Sequence, residues 1–489
     1  MRGYKSSAYG ELVEPCDLCG ETLRETRMPR GEKNRITHRR GAESAEKRAL
    51  FKNHLTSATS RRIAVNENID TVIIGAGHAG LTMSYFLSQR GLEHVILERG
   101  RVAERWISER WDSFHFQFPN WTIELPGYKY QTEDPDGFVP GREIVRFIQE
   151  YTDFIKAPVR SGVDVTALEN SSRSMPYLLR TNAGPIEASN VVIATGQRDK
   201  GVIPPFSSDV PNDIRQLHSS AYRNAGELPP GAILIVGSGA SGFQIAEDLR
   251  QSGRQVYVCM GRHRRAARRY RGRDYAWWGV ELGLYERRRA EVPAISQPFV
   301  LLTGVNGGYE ADWRELAAKG IVLLGRLKAV KGARLELAAD LEDNLAKGEE
   351  WVANFKKSVD DYIAKNKLDF PTDSSSRLEG SSSAPILELD LRVTGITSII
   401  WATGFGNDYA WLKLPLLDER REPVHERGVT QFPGIYFLGL RWLYKQKSGF
   451  LSFGGPAEDA AYLAEQIAAR HNGSSSRSRC FVSESSCEE

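Results

Sequence analysis

Short apolar runs that end in glycine alternate along this chain with stretches of helical periodicity. The runs IDTVIIG, NVVIATG, AILIVG and TGITSIIWATGF lack the polar alternation of a half-exposed strand and predict buried parallel strands. Apolar residues at three-to-four spacing predict amphipathic helices over 141–157 and 340–365. Strands that alternate with helices in this way predict an α/β fold.

Two of these strands run directly into glycine-rich turns, GAGHAG at 75–80 and GSGASG at 237–242. Each turn has the spacing of a dinucleotide fingerprint and opens a predicted helix. In each, the first glycine permits the tight turn, the second admits a pyrophosphate, and the third lets helix and strand pack closely. We therefore predict two Rossmann-like dinucleotide-binding domains. The predicted nucleotide contacts in these turns are Gly75, Gly77, Gly80, Gly237, Gly239, Ser241 and Gly242.

The residue after each second strand indicates which nucleotide binds. Glu98 ends HVILE, where a carboxylate accepts hydrogen bonds from ribose hydroxyls, so the first site suits FAD or NAD. Arg262 takes the corresponding place after the second fingerprint and suits the 2′-phosphate of NADPH. Four further arginines either share this role or form a solvated basic loop: Arg264, Arg265, Arg268 and Arg269.

The other two predicted strands, in NVVIATG and TGITSIIWATGF, lead into the same tripeptide, Ala-Thr-Gly. Small residues there allow the chain to pass close to a cofactor or to the other domain. We therefore expect both tripeptides at the crossings between the two domains. Their candidate cofactor contacts are Thr195, Gly196, Thr403 and Gly404.

Composition narrows the function classes. The net charge of +3 over 489 residues gives no reason to expect a nucleic-acid partner. No apolar run is long enough for a membrane span, and the N-terminus has no signal-peptide pattern. Five cysteines without a disulfide framework favour the cytoplasm. Cys16 and Cys19 form one CxxC without a second pair, so no metal site is expected.

The order of these motifs resembles the flavin-containing monooxygenases, in particular bacterial single-chain FAD/NADPH enzymes of the class B type. The resemblance covers about 68–470 and includes RWDSFHFQFPNW, GRHRRAARRYRGRD and WATGFGNDYAWL. It implies a monooxygenase that uses NADPH and FAD to insert one atom of O₂ into a small organic substrate, through a C4a-(hydro)peroxyflavin. One departure is at the linker, where Asn212 and Ile214 replace the phenylalanine and glycine of the family motif.

The resemblance also implies a domain plan. A discontinuous FAD domain is expected over 63–204 and 385–472, with the NADPH domain and its helical insertion between them at 205–384. A disordered basic leader is expected over 1–62, and a disordered Ser-rich tail over 473–489. The oligomeric state stays open, a homo-oligomer included.

Further site residues come only from the resemblance. Asn120 in FPNW corresponds to an asparagine beside the flavin, and would be the catalytic residue; its alternative is a turn residue after Pro119. Arg105 and Trp106 would line the flavin, or form core. Gly454, Gly455 and Asp459 match a late flavin-contacting segment, although Asp459 also suits an ordinary first-turn helix acid.

Other functions stay open at this point. An NADPH oxidase or reductase without an oxygenated substrate shares every motif, and so does a flavin-dependent halogenase or decarboxylating hydroxylase. A disulfide reductase needs a cysteine pair near the flavin, and the second domain holds Cys259 alone. A nucleic-acid-binding redox sensor would have to use the basic segment 262–273.

Overall fold

The structure is a computed structural model that describes residues 67–196, 200–292, 300–373 and 384–483, with side chains described as far as 472. The predicted leader 1–62, with Cys16 and Cys19, lies outside the described residues. The strands of the first half are β1 (Glu67–Ile74), β2 (His94–Glu98), β3 (Glu124–Leu125), β4 (Tyr128–Lys129), β5 (Val159–Ser161), β6 (Val165–Asn170), β7 (Tyr177–Thr181), β8 (Ile186–Ile193), β9 (Lys200–Gly201), β10 (Arg215–His218), β11 (Ala232–Val236) and β12 (Val256–Cys259).

The remaining strands are shorter on average. They are β13 (Arg264–Arg265), β14 (Arg269–Tyr270), β15 (Arg273–Asp274), β16 (Val300–Leu301), β17 (Val322–Leu324), β18 (Leu327–Lys331), β19 (Arg334–Leu337), β20 (Glu388–Asp390), β21 (Ile396–Trp401), β22 (Phe405–Gly406) and β23 (Ile435–Phe437).

Both helices that the apolar spacing predicts, over 141–157 and 340–365, are among the α-helices of the structure. The α-helices are α1 (His78–Gln89), α2 (Glu104–Ser108), α3 (Gly141–Phe154), α4 (Ala240–Gln251), α5 (Tyr275–Glu281), α6 (Trp313–Ala318), α7 (Leu341–Asn366) and α8 (Ala457–Ser483). Short 3₁₀ helices cover Asn120–Thr122, Pro205–Asp209, Ser219–Ala221, Ala225–Glu227, Leu284–Glu286, Arg289–Glu291 and Val305–Gly307.

The first sheet has seven strands and holds the first fingerprint. Its order is β5-β2-β1-β8-β7-β6, and β5, β2, β1 and β8 are parallel. The start of β8 pairs with β7 in antiparallel fashion, and its end pairs in parallel with β23. Because β1 is flanked by β2 and β8, its carboxyl end opens between theirs. The first fingerprint turn, at 75–80, lies at this edge.

The second sheet is wholly parallel, in the order β10-β21-β11-β12-β17. Every residue of β11 is buried. Ile233 and Ile235 pack with α4 and α6 on one face, whereas Leu234 and Val236 pack with β18, β19 and Trp401 on the other. Burial on both faces is the reason that this strand has an unbroken apolar sequence.

The predicted domain boundary at 385 is wrong. β20 pairs with β19, and β21 pairs with both β10 and β11, so both strands belong to the second domain. The chain returns to the first sheet only with β23. The other predicted boundary, at 204/205, precedes β10, which is the first strand of the second sheet along the chain. An apolar strand that ends in Ala-Thr-Gly occurs in both domains, so the sequence motif does not reveal which sheet the strand joins.

The C-terminal helix enters the segment for which a Ser-rich tail was expected. α8 continues to Ser483, past position 473 at which the Ser-rich tail was expected to begin. Its first half buries Leu463, Ala464 and Ile467 in the core of the first domain.

Candidate functional site

The first fingerprint has the geometry that its glycines predict. Gly75 has φ +108°, and a methyl group there would lie 2.6 Å from the carbonyl oxygen of Ala194. A methyl group at Gly80 would lie 2.0 Å from the Gly75 oxygen, so helix and turn are in direct contact. At Gly77 such a group would meet no described atom within 4 Å. Gly77 is also the N-cap of α1 and makes no side-chain cap, which leaves the first N–H groups of the helix for a pyrophosphate.

The second fingerprint repeats this arrangement position by position. Gly237 has φ +122°, and a methyl group there would lie 2.3 Å from the Ala402 oxygen. At Gly242 it would lie 2.0 Å from the Gly237 oxygen, and at Gly239 it would meet nothing described within 4 Å. Gly239 is the N-cap of α4, whose first turn contains the half-buried Ser241. Each fingerprint turn, together with the helix N-terminus that follows it, therefore forms an open cradle. The two cradles have the same geometry.

Both Ala-Thr-Gly turns lie where the chain crosses between the domains, as predicted. Their alanines abut the first glycine of each fingerprint. Beyond them, Gly201 of β9 pairs with Phe405 of β22. The Thr403 hydroxyl donates to the Val202 carbonyl, and the Gly404 carbonyl accepts from Val202 N at 3.0 Å. Thr403 and Gly404 thus stabilise the crossing itself, and both cradles converge on it.

Glu98 lies at the end of β2 and points into the first turn. Its two carboxylate oxygens accept hydrogen bonds from Ala76 N and Gly100 N, each at 2.8 Å. These bonds fix the carboxylate beside the cradle, and each oxygen keeps a lone pair for a ribose hydroxyl.

Arg262 lies three residues beyond the end of β12 and is exposed. No ion pair to it occurs within the described ranges. Ser238 connects its segment to the second turn, since the Ser238 hydroxyl donates to Gly261 O at 2.8 Å and accepts from Gly261 N at 3.1 Å. Ser238 is buried, and the fingerprint pattern did not single it out.

Two of the other four arginines are structural, which corrects both roles weighed for them. Arg265 is 4% exposed and forms ion pairs with Glu310, Asp312 and Glu349. Arg268 is 2% exposed and pairs with Asp274 at 2.9 Å. Their partners follow 6 to 84 residues later in the chain, so no local sequence pattern indicates these ion pairs.

The remaining two arginines differ in their surroundings. The guanidinium of Arg264 lies 3.9 Å above the Trp351 ring of α7, and Arg269 is exposed.

Arg105 and Trp106 lie in α2 at the junction of the two domains. Arg105 Nε is 2.9 Å from Glu109 Oε2, and its guanidinium is 5.9 Å from the Phe405 ring. A methyl group at Gly196 would come within 3.5 Å of the same guanidinium, which places Arg105 at the Thr195–Gly196 turn. Trp106 packs against the cores of both domains.

Asn120 is buried at the start of a 3₁₀ helix. Its Nδ2 donates to Asp134 O at 2.9 Å, which orients the amide. The other amide atom, Oδ1, finds no hydrogen-bond partner among the described residues. A buried carbonyl without a donor costs free energy, so this oxygen is a natural acceptor for a ligand N–H or O–H.

The segment 452–455 lies directly against the 3₁₀ helix Asn120–Thr122. Phe453 N donates to Thr122 O at 2.8 Å, and Ser452 bridges Ile123. Gly454 has φ +59°, and Gly455 N donates to Ser452 O at 3.2 Å. The structure therefore places the segment with Gly454 and Gly455 against the short helix that Asn120 begins.

Asp459 has partners within the protein. It is buried in the first turn of α8, 3.5 Å from Arg427, and burial raises the pKa of its carboxyl group in spite of the hydrogen bond from Ser448. This environment matches the first-turn helix acid that the sequence allowed.

Comparisons with known proteins agree with this geometry. Residues 72–275 match the family model described as pyridine nucleotide-disulphide oxidoreductase. An uncharacterized oxidoreductase of Geobacillus kaustophilus, described as CzcO-like, is 29% identical over 82% of this chain and 98% of its own length.

Solved structures show the same architecture. A flavin-containing monooxygenase from Stenotrophomonas maltophilia aligns with a TM-score of 0.57 and 19% identity, over 83% of this chain and 99% of that chain. The chain has the fold of a flavin-containing monooxygenase. The predicted resemblance, fold class and oxidoreductase class are confirmed. An ornithine N-hydroxylase from Kutzneria sp. 744, solved with reduced FAD, NADP⁺ and L-ornithine, aligns over 83% of this chain and all of its own, with a TM-score of 0.53 and 13% identity.

Across the described ranges, no helix combines the length and apolarity that a membrane crossing requires. The same ranges contain no group of three or more His, Cys, Asp or Glu side chains placed to hold a metal ion.

Proposed function

We propose that this chain is an FAD-dependent, NADPH-consuming monooxygenase that transfers one oxygen atom of O₂ to a small organic substrate. The observation that carries the proposal is the pair of open cradles at Gly77 and Gly239, both of which abut the crossing between the domains. A single cradle would serve any dehydrogenase. Two cradles that converge suit hydride transfer between two nucleotides.

Different residues bind different groups of the two nucleotides. The N-termini of α1 and α4 hold the two pyrophosphates, Glu98 holds the FAD ribose, and Arg262 holds the 2′-phosphate of NADPH. Asn120 presents its free amide oxygen to the flavin or to the substrate. When bound, NADPH supplies a hydride and reduced FAD the reaction with O₂, so that one oxygen atom enters the substrate and the other leaves as water.

The cysteine side chains do not support a disulfide reductase function. Cys259 is buried in β12, and burial raises the pKa of its thiol to about 12, so it stays protonated and unreactive. No second cysteine falls between 67 and 472 to pair with it.

Anaerobic titration of the purified protein tests the proposal. We expect about one bound FAD per chain, and bleaching of its absorbance by NADPH much faster than by NADH. Absence of flavin, or bleaching at equal rates by both nucleotides, contradicts the cofactor assignment. In a separate assay in air, release of one H₂O₂ per NADPH consumed with every organic compound tested would instead identify an oxidase.

A further inference from the structure

The amide group of Asn120 is anchored to an exposed loop. Its Nδ2 donates to Asp134 O at 2.9 Å, and its backbone N–H donates to Gly137 O at the same distance. All residues from 131 to 136 are exposed, so this anchor has water on one side. A hydrogen bond to an exposed loop orients a side chain only as well as the loop itself is held.

Two segments that run side by side form the support of Asn120, 116–121 and 134–139. Phe116 N donates to Val139 O at 2.7 Å, and Trp121 N donates to Pro135 O at 2.9 Å. Together with the bonds of Asn120 itself, these make an irregular antiparallel pairing. The orientation of the Asn120 amide therefore depends on how the two segments are held against each other.

Arg268 of the second domain contacts both segments of this support. Its Nη1 donates to Gln117 O at 2.9 Å, and its guanidinium lies 4.2 Å from the centroid of the Phe138 ring. Arg268 is only 2% exposed, so these contacts are shielded from water and are stronger than they would be at the surface. One buried guanidinium thus fixes the two segments relative to each other.

The second domain in turn fixes Arg268. Its Nε forms an ion pair with Asp274 Oδ2 at 2.9 Å, and its backbone oxygen accepts from Tyr275 N at 2.8 Å. Asp274 is held as well, because its Oδ1 accepts from Ala276 N at the start of α5. Arg268 and Asp274 form a neutral pair, so the guanidinium needs no further anion to be stable where it lies.

A loop of the second domain packs against the same two segments. A methyl group at Gly304 would lie 2.0 Å from Phe116 O, and one at Gly308 would lie 2.5 Å from the Phe138 ring. Phe116 itself belongs to the core cluster of the first sheet. The support of Asn120 is therefore part of the first domain but is held by close contact with the second.

We propose that Arg268 is a positioning residue, which makes the orientation of the Asn120 amide depend on the docking of the second domain. It acts through Gln117 O and the Phe138 ring, and no contact of Arg268 with the flavin is required. The inference rests on the proposed function, because it takes Asn120 as the side chain that meets the flavin.

Hydrogen exchange of the flavin-loaded protein, measured by mass spectrometry, tests the support directly. Arg268→Lys keeps a positive charge for Asp274 but loses the planar fork that also reaches Gln117 O. We expect exchange in 116–121 and 134–139 to become about tenfold faster, as loss of one charge-assisted hydrogen bond allows, and exchange elsewhere to stay the same. Faster exchange throughout the chain, or none in these segments, overturns the proposal.

Arg254→Lys is the matched control for the exchange experiment. Arg254 also donates to backbone carbonyl oxygens, those of Gly231 and Ala225, but both lie in the second domain. The same substitution there should leave exchange in 116–121 and 134–139 unchanged. Equal acceleration of these segments by both variants would contradict a specific role for Arg268.

The absorbance spectrum of the bound flavin tests whether the effect reaches Asn120. Asn120→Ala should shift the visible flavin band, and Arg268→Lys should produce part of the same shift. Arg268→Lys combined with Asn120→Ala should shift the band no further than Asn120→Ala alone, because the side chain that Arg268 positions is gone. Additive shifts would indicate a general structural role, and no shift with Asn120→Ala would place Asn120 away from the flavin. Either result overturns the proposal.

Phe138→Leu tests the same support without a change of charge. It removes the ring beneath the guanidinium, so we expect faster exchange in the same two segments and a flavin shift that is again absent in the Asn120→Ala background. This variant decides the question if Arg268→Lys does not fold, and unchanged exchange in it overturns the proposal.

None of these measurements requires oxygen transfer, so they separate this inference from the proposed function. The expected exchange and spectra, with peroxide as the only product in air, would refute the proposed function alone. Oxygen transfer to a substrate, with additive flavin shifts, would refute only the role of Arg268.

Discussion

The second and third glycines of each fingerprint are required for different reasons. Gly80 and Gly242 are needed by the fold, because a side chain there would overlap the backbone of the preceding turn. Gly77 and Gly239 face open space, so the protein alone would tolerate a side chain at either position. The proposed nucleotides explain why both positions are glycine, because a pyrophosphate would approach the backbone there.

Gly77→Ala should separate folding from cofactor binding. The new methyl group enters the open cradle, so we expect a folded protein with the wild-type melting temperature and at least tenfold weaker FAD binding. Gly80→Ala should instead lower the melting temperature or prevent folding. Normal flavin content in folded Gly77→Ala would place the FAD pyrophosphate elsewhere.

Arg262→Gln should weaken NADPH and spare NADH. Loss of a charge-assisted contact to the 2′-phosphate should raise the Kd for NADPH about tenfold or more, while NADH, which lacks that phosphate, is unaffected. The control is Arg273→Gln, an exposed arginine 5.1 Å above the Trp277 ring. The 2′-phosphate role fails when both nucleotides weaken equally.

At single positions, the sequence predicted the residues whose role depends on their near neighbours. The fingerprint glycines and Glu98 act within one strand–turn–helix unit, and all occupy the predicted places. Arg265 and Arg268 were misinterpreted because their role depends on packing that no local pattern contains.

At the scale of elements, α7 stabilises the segment that carries these arginines. Glu349 of α7 pairs with Arg265, Trp351 of α7 stacks on Arg264, and Val359 packs on Trp278 of α5. The helical period of α7 was visible in the sequence. The contact of α7 with this segment was not visible, because 84 residues separate Arg265 from Glu349.

Arg265→Ala tests how strongly α7 is attached. Three carboxylates would lose their buried counter-charge, so we expect the free energy of unfolding to fall by about 3–5 kcal/mol. Arg334→Ala, which breaks an exposed pair with Glu388, should cost about 0–1 kcal/mol. Chemical denaturation measures both, and equal losses would contradict a structural role for Arg265.

β21 shows the limit of motif-based domain assignment. Its sequence resembles that of β8, and both strands end at a crossing, yet β8 belongs to the first sheet and β21 to the second. The sheet that a strand joins depends on its pairing with strands that are distant in sequence, which apolar periodicity does not encode.

At the scale of the whole molecule, burial of histidine makes stability depend on pH. Burial lowers the pKa of His263 from 6.5 to about 4, so the native side chain stays neutral where the unfolded one is protonated. The unfolded state therefore binds more protons between these values, and stability falls as pH decreases from 6.5 towards 4.

His263→Gln should remove this contribution. We expect the wild type to lose about 2 kcal/mol more stability than the variant between pH 7 and pH 5, measured by urea denaturation at each pH. Parallel losses in both proteins would show that His263 is not held neutral by burial.

We propose that two nucleotides meet at the domain crossing and that O₂ is activated there for transfer to a substrate. Reduction of the flavin-loaded protein with NADPH, followed by mixing with O₂ in a stopped-flow spectrometer, tests this proposal. We expect a transient spectrum that is neither reduced nor oxidised flavin, before the oxidised spectrum returns. A direct return to oxidised flavin, with one peroxide released per NADPH, would contradict it.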